Sequence, residues 1–249
     1  MNINDLDLET GQVPGTTFLF SGARPDDIIV SDPTLATIMV DVSGSVSGFA
    51  DDLVTMLNTA VDALKKSPRA ENILVRVGRF ADDVVEVHGF APLSSIGAYT
   101  RADLPCGGST ALIDAALSGV GAMNAYGKKL VDLKYSVNGI MFVITDGDEN
   151  ASVVKDPARI KAEIDRAVRG ETVKGITTIL VGINASRYEQ SLKALQAAAG
   201  IGSYVAVTDA TPQRLAKFAG LVSKSVSSAS KNLAQGQAAV VIDPADLTI

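Results

Sequence analysis

The sequence predicts an α/β fold with a doubly wound, mostly parallel sheet and helices on both of its faces. Short apolar runs rich in β-branched residues alternate with longer segments whose apolar residues recur at helical spacing, which is typical of βαβ units. The chain of 249 residues is 47% hydrophobic, enough to form a substantial core. No linker or internal repeat interrupts the alternation between residues 34 and 228. We therefore expect one domain over residues 34–228, an N-terminal extension over 1–33 and a C-terminal tail over 229–249.

Six segments are predicted to be strands because each is short, apolar and rich in β-branched residues. They span residues 35–40, 73–77, 84–87, 140–144, 176–181 and 204–207. Helices are predicted over residues 48–64, 110–123, 157–168 and 188–199, and a closing helix begins near Pro212. The segment 81–83, which lies between the second and third strands, is short enough for a turn, so these two strands are expected to form an antiparallel hairpin.

The two ends of the chain carry weaker patterns. Short apolar pieces at residues 18–20 and 28–30, separated by glycine and proline, predict an added hairpin or an edge strand. The apolar run 239–242 in the tail either packs on the domain or pairs with the N-terminal segment. The acidic start lacks the basic and apolar regions of a secretory signal, and no apolar stretch approaches the roughly 20 residues of a membrane helix. We expect a cytoplasmic protein that does not bind membranes.

Composition excludes several classes of function. The formal net charge of −6, the 5% aromatic content and the absence of Trp argue against nucleic-acid binding. The single cysteine, Cys106, excludes a disulfide framework and a zinc site built from several cysteines of this chain. The single histidine, His88, excludes a histidine-rich metal site. Both residues are expected to be structural.

Three polar loops follow predicted strands or open a predicted helix. Their sequences are Asp41-Val42-Ser43-Gly44-Ser45, Gly107-Gly108-Ser109-Thr110 and Thr145-Asp146-Gly147. Open α/β sheets bind ligands beyond the carboxyl ends of their strands, so these loops are candidates for one common site. Their donors are carboxylate and hydroxyl oxygens, which Mg²⁺ prefers, with Mn²⁺ and Ca²⁺ as alternatives. The loops therefore predict a divalent-cation site formed by Asp41, Ser43, Ser45, Thr110 and Asp146.

This motif resembles the metal-ion-dependent adhesion site of von Willebrand factor type A (vWA) domains. The resemblance rests on Asp41-x-Ser43-x-Ser45, Thr110 and Asp146-Gly147, and it extends over the whole alternation of strands and helices. It implies a six-stranded sheet of order 3-2-1-4-5-6 in which the strand near residues 83–88 is the antiparallel edge strand. It also implies that the three hydroxyls bind the metal, that the two aspartates bind it directly or through water, and that a partner's carboxylate takes the open position.

The leading hypothesis is therefore a non-enzymatic module that recognises an acidic residue of a partner protein. The resemblance implies an adaptor of a MoxR-type AAA+ ATPase, or a component of a bacterial stress or defence system. Asp148 and Glu149 are expected to add negative potential beside the metal.

Two enzymatic alternatives are weaker. A Mg²⁺-dependent phosphohydrolase of the haloacid dehalogenase type also begins with a strand and an aspartate-rich loop, but it needs a second aspartate where this chain has Ser43. A serine hydrolase would need His88 near Ser43, Ser45 or Ser109, and the sequence contains no Gly-x-Ser-x-Gly motif around these serines.

Overall fold

A computed structural model describes residues 7–235 of the chain. Eight strands form one sheet in the order β1-β2-β5-β4-β3-β6-β7-β8. The strands are Leu8–Gln12 (β1), Leu19–Ala23 (β2), Thr34–Asp41 (β3), Ile73–Phe80 (β4), Val84–Pro92 (β5), Asn138–Thr145 (β6), Gly175–Ile183 (β7) and Ser203–Val207 (β8). The helices are Ala50–Lys65 (α1), Leu112–Asp132 (α2), Ala158–Val168 (α3), Glu189–Ala198 (α4) and Pro212–Ala234 (α5).

The α/β fold class is confirmed. Strands β3, β4, β6, β7 and β8 are parallel, and β5 runs antiparallel to β4 through the predicted hairpin. Counted along the chain from β3 to β8, these six strands stand in the order 3-2-1-4-5-6. The central strands β3 and β6 are buried along their whole length, which explains why apolar residues occupy both faces of each strand rather than alternating with polar ones.

The predicted count of six strands and the edge position of β5 are wrong. Strand β2 pairs with β5 in parallel, and β1 pairs with β2, so β1 forms this edge of the sheet. The apolar piece at residues 18–20 thus enters a strand, whereas the piece at 28–30 does not. Contacts with α2 hold the additional hairpin of β1 and β2 on the sheet. The ring of Tyr126 packs over Gly22, and the Tyr126 hydroxyl donates to the carbonyl of Ala23 at 2.6 Å.

Helices cover both faces of the sheet, as predicted. One core contains α1 and α5, and its centre includes Phe142 packed edge-on against Phe218, with ring centroids 6.4 Å apart. The other core contains α2, α3 and α4. Helix α2 continues nine residues past the predicted end at Met123, and α5 continues to Ala234. The apolar run 239–242 lies outside the described residues.

Candidate functional site

The candidate site lies at the carboxyl ends of β3 and β6. Asp41 is the last residue of β3, and Asp146 follows Thr145, the last residue of β6. These neighbouring strands are the point where the chain order reverses, since β3 leads to β4 on one side and β6 to β7 on the other. This is the position where open α/β sheets form a crevice for ligands.

Four of the five predicted residues are connected by short contacts with one another or through Thr145. Ser45 donates its hydroxyl to Asp146 Oδ1 at 2.8 Å, and Ser43 Oγ lies 3.2 Å from Ser45 Oγ. The Ser43 N–H donates to Asp41 Oδ1 at 2.7 Å, and Thr145 donates its hydroxyl to Asp41 Oδ2 at 2.6 Å. The loops after β3 and β6 therefore present their carboxylates and hydroxyls as one group.

Thr110 is brought to the same group by the loop that follows β6. Its N–H donates to Asn150 Oδ1 at 2.8 Å, and its carbonyl accepts the N–H groups of Asn150 and Ala151 at 3.1 and 3.2 Å. A Cβ built on Gly147 would stand 3.5 Å from Thr110 Oγ1, so the threonine hydroxyl lies about one side-chain atom away from the backbone of the residue after Asp146. Thr110 lies two residues before α2 rather than inside it, contrary to the predicted helix start.

The glycine-rich loop joins the first segment to Thr110. Gly44 N–H donates to the carbonyl of Gly108 at 3.1 Å, and Gly107 N–H donates to the carbonyl of Val42 at 2.8 Å. Gly108 has φ +78°, a left-handed conformation that glycine adopts without strain. The loop also donates a hydrogen bond to a residue outside the motif, from the Ser109 N–H to Asp82 Oδ1 at 2.8 Å. The backbone thus fixes where Thr110 stands.

The two carboxylates are held in an environment that disfavours their charge. Burial raises the pKa of Asp41 to about 6, and the hydrogen bonds from Ser43 and Thr145 oppose that rise. Burial also raises the pKa of Asp146, against the hydrogen bond from Ser45. Asp41, Ser43, Thr110 and Asp146 are all buried, whereas Ser45 is exposed. A bound cation would compensate the buried negative charge and would be reached from the side of Ser45.

The donor set fits a hard divalent cation. Two carboxylates and three hydroxyls supply only oxygen, which suits Mg²⁺, Mn²⁺ or Ca²⁺ better than metals that prefer nitrogen or sulfur. Within residues 7–235, no group of three or more His, Cys, Asp or Glu side chains is arranged to hold a metal. The hydroxyls of Ser43, Ser45 and Thr110 would therefore have to contribute to coordination.

Three supporting residues were not predicted from the sequence. Thr145 holds Asp41, Asn150 holds Thr110, and Asp82 holds the glycine-rich loop. Glu149, expected only to add negative potential, has a structural role: Oε2 accepts the Ile113 N–H at 2.8 Å and the Ser152 hydroxyl at 2.6 Å. It therefore caps the first turn of α2. Asp82 could have been suspected from its position in the hairpin, but the other three roles depend on tertiary contacts.

His88 and Cys106 stand apart from this oxygen cluster. His88 is buried, with Nε2 2.7 Å from Tyr99 Oη and Nδ1 2.9 Å from the carbonyl of Gly89, so both ring nitrogens have partners other than the candidate serines. This arrangement does not support a serine hydrolase. Cys106 is half-buried, and its Sγ lies 3.4 Å from Arg101 Nη1.

Comparisons with known proteins identify structural neighbours only. No family model matches the chain, and no curated protein matches it. The PilB minor pilin from Streptococcus sanguinis has a TM-score of 0.53 at 15% identity, over 88% of this chain and 73% of that one. Its D319A mutant has a TM-score of 0.55 at 16% identity, over 86% of this chain and 65% of that one. The pilus adhesin SpaC from Lactobacillus rhamnosus GG has a TM-score of 0.58 at 11% identity, over 79% of this chain and 31% of that one.

The chain therefore spans 65% to 73% of the pilin chains and less than a third of the adhesin. At identities of 11–16% these likenesses concern the fold alone. No helix within residues 7–235 combines the length and the apolar character needed to cross a membrane. The chain's own geometry thus gives a mostly parallel α/β sheet with a cluster of carboxylate and hydroxyl oxygens at the carboxyl ends of β3 and β6.

Proposed function

We propose that this chain is a vWA-type interaction module that binds a divalent cation and, through it, a carboxylate of a partner protein. One observation carries the proposal: three separate loops bring Asp41, Ser43, Ser45, Thr110 and Asp146 to one edge of the sheet. Hydrogen bonds connect the loops, as from Ser45 to Asp146 at 2.8 Å and from Gly44 to Gly108 at 3.1 Å. A helix cap or a turn would need only one of these loops, so their convergence supports a ligand site.

The chemistry of the donors supports Mg²⁺ as the resident cation. Mg²⁺ takes octahedral oxygen coordination and usually retains waters, one of which an incoming carboxylate can replace. The exposed Ser45 marks the side on which a partner can approach. We propose that an Asp or Glu of the partner completes the coordination, and that this contact depends on the metal.

The proposed role is binding without catalysis. The phosphohydrolase alternative needs an aspartate two residues after the nucleophile. Here that position is Ser43, whose Oγ lies 3.2 Å from Ser45 Oγ. A cytoplasmic adaptor role beside a MoxR-type AAA+ ATPase, or within a stress or defence system, remains our prediction for the biological setting.

A calorimetric titration of MgCl₂ into the metal-free full chain tests the proposal. We expect saturable binding by the wild type and none by Thr110→Ala. Asp83→Asn is the matched control: it removes an exposed carboxylate next to Asp82 and should bind Mg²⁺ like the wild type. Hydrolysis of p-nitrophenyl phosphate that depends on both Mg²⁺ and Asp41 would instead support the phosphohydrolase. Heat of binding that is unchanged in Thr110→Ala would contradict the proposed site.

A further inference from the structure

A trench runs beside the candidate metal site. It consists of two adjoining hollows of about 760 and 590 Å³, which share Thr17, Phe18, Asp114 and Val153 as lining residues. The loop between β1 and β2 forms one end, the hairpin between β4 and β5 forms one wall, and the loop after β6 forms the other. We refer to this surface as the side trench.

The walls of the side trench are continuous with the loops of the metal site. Asp82, on the hairpin wall, accepts the N–H of Ser109, the residue before Thr110. On the opposite wall, the N–H groups of Val153 and Val154 donate at 2.7 and 3.0 Å to Asp114, which lies in the first turn of α2, four residues after Thr110. A partner segment held at the metal site could therefore continue along the same surface into the side trench.

Apolar side chains are unusually exposed along the side trench. Val153 is 86% exposed and Leu19 is 60% exposed, and they are two of the five large hydrophobic residues that stand out as exposed within residues 7–235. Both line the smaller hollow together with Phe18. Clustered exposed apolar residues are typical of binding surfaces, whereas isolated ones need no explanation.

The walls also carry excess negative charge. The acidic residues in the lining are Asp82, Asp83, Glu86 and Asp114, against Arg76 and Arg159. Arg76 is buried and donates to Glu86 at 2.7 Å, so it does not offset the other three carboxylates. An occupant with further acidic groups would be repelled, and one that is apolar or basic would be complementary.

We propose that the side trench binds the same partner segment whose single carboxylate occupies the metal site. This segment is extended, carries an aliphatic side chain near its acidic residue, and has no second acidic residue beside it. The aliphatic preference follows from the exposed Val153 and Leu19, and the exclusion of further acidic residues follows from the carboxylates on the walls. This inference rests on the proposed function and specifies the chemistry of the partner.

Selection of a phage-displayed random dodecapeptide library on the full chain tests the inference. In Mg²⁺ we expect the selected peptides to contain one Asp or Glu, with Val, Leu or Ile enriched about tenfold at one fixed position near it, which corresponds to burying one aliphatic side chain. The enrichment should disappear in EDTA. If no metal-dependent peptide is selected, the proposed function fails. If acidic peptides are selected without an aliphatic preference, only this inference fails.

Variants of the apolar residues provide the second arm of the test. Val153→Lys should keep the metal-dependent selection of acidic peptides but lose the aliphatic preference. Val168→Lys is the matched control, because Val168 is also exposed, at 68%, and lies at the end of α3 away from the side trench. An unchanged preference in Val153→Lys would overturn the inference. Self-association would also overturn the inference if sedimentation velocity showed that it depends on Mg²⁺ and that Val153→Lys abolishes it. The occupant of the side trench would then be a second copy of this chain.

Discussion

Replacing Asp41 with Asn should stabilise the metal-free protein. In the native state Asp41 is buried with its charge uncompensated, and its pKa is raised from 3.8 to about 6. Asn has the same shape and can retain both contacts. Its oxygen accepts the Ser43 N–H, and its amide donates to Thr145 Oγ1. The Thr145 hydroxyl then turns to the carbonyl of Gly147, 3.2 Å away.

The magnitude follows from the change in pKa. Each pKa unit corresponds to about 1.4 kcal/mol, so ionised Asp41 costs the native state about 3 kcal/mol above pH 6. Because the pKa of Asp41 is higher in the folded state than in the unfolded state, the folded state binds the proton more tightly. The free energy of unfolding therefore falls as the pH rises from about 4 to 6. For a domain of this size, about 3 kcal/mol corresponds to a Tm increase of about 6–12 °C.

Urea unfolding in EDTA measures this prediction. At pH 7.5 we expect Asp41→Asn to be more stable than the wild type by up to about 3 kcal/mol, and at pH 4 we expect the difference to vanish. Asp83→Asn, which removes an exposed carboxylate, should match the wild type at both pH values. Equal stability of Asp41→Asn and wild type at pH 7.5, or a difference that persists at pH 4, would refute the reasoning that Asp41 carries an uncompensated buried charge.

Three further predictions concern the metal, a buried histidine and the core. Mg²⁺ at about one hundred times its Kd should stabilise the wild type by about 2.7 kcal/mol and leave Asp41→Asn unchanged in thermal unfolding; equal shifts would place the metal elsewhere. Burial lowers the pKa of His88, so lowering the pH from 7.5 to 5.5 should destabilise the wild type relative to His88→Gln in urea titrations, and parallel pH curves would contradict this. Phe142→Ala should cost about 3–5 kcal/mol in unfolding free energy while the folded fraction keeps its Mg²⁺ affinity, because Phe142 is fully buried against Phe218; a loss below about 1 kcal/mol would indicate that the core relaxes.

Hydrophobic patterning predicted the elements that bury large apolar areas. The runs 35–40 and 140–144 became β3 and β6, the two central strands, because only a strand covered on both faces tolerates continuous apolar sequence. Strand β1 was missed because its sequence, Leu-Glu-Thr-Gly-Gln, contains one large apolar residue and lies at the edge of the sheet. Pairing with β2, rather than its own composition, makes it a strand.

The length of α2 shows a second limit of prediction from the sequence, which is the position at which a helix ends. The predicted helix ends at Met123, whereas α2 continues through Gly127, a residue type that weakens helices. In the structure Gly127 allows close packing, since a Cβ there would lie 2.6 Å from Val173 Cγ1. Tertiary contact therefore offsets the low helix propensity, and no local pattern reports such a contact.

The candidate site also contains residues that the sequence predicts and residues that only the folded structure reveals. Asp41 and Asp146 could be located because they follow predicted strands, and the parallel sheet then places both at one edge. The hydrogen bonds that orient the site are donated by Thr145 and accepted by Asn150 and Glu149, whose partners lie 36 to 104 residues away in the sequence. Such partners can be identified only once the strands and α2 are packed together.

A crystal of the full chain soaked in MnCl₂, with the ion located by anomalous scattering, would show directly where the cation binds. We predict one strong peak at the carboxyl ends of β3 and β6, within about 2.1–2.2 Å of Ser43 Oγ, Ser45 Oγ and Thr110 Oγ1, the distance of an octahedral Mg²⁺-like site. An anomalous peak bound elsewhere, or Ser43 and Thr110 hydroxyls too far apart to share one ion, would contradict it.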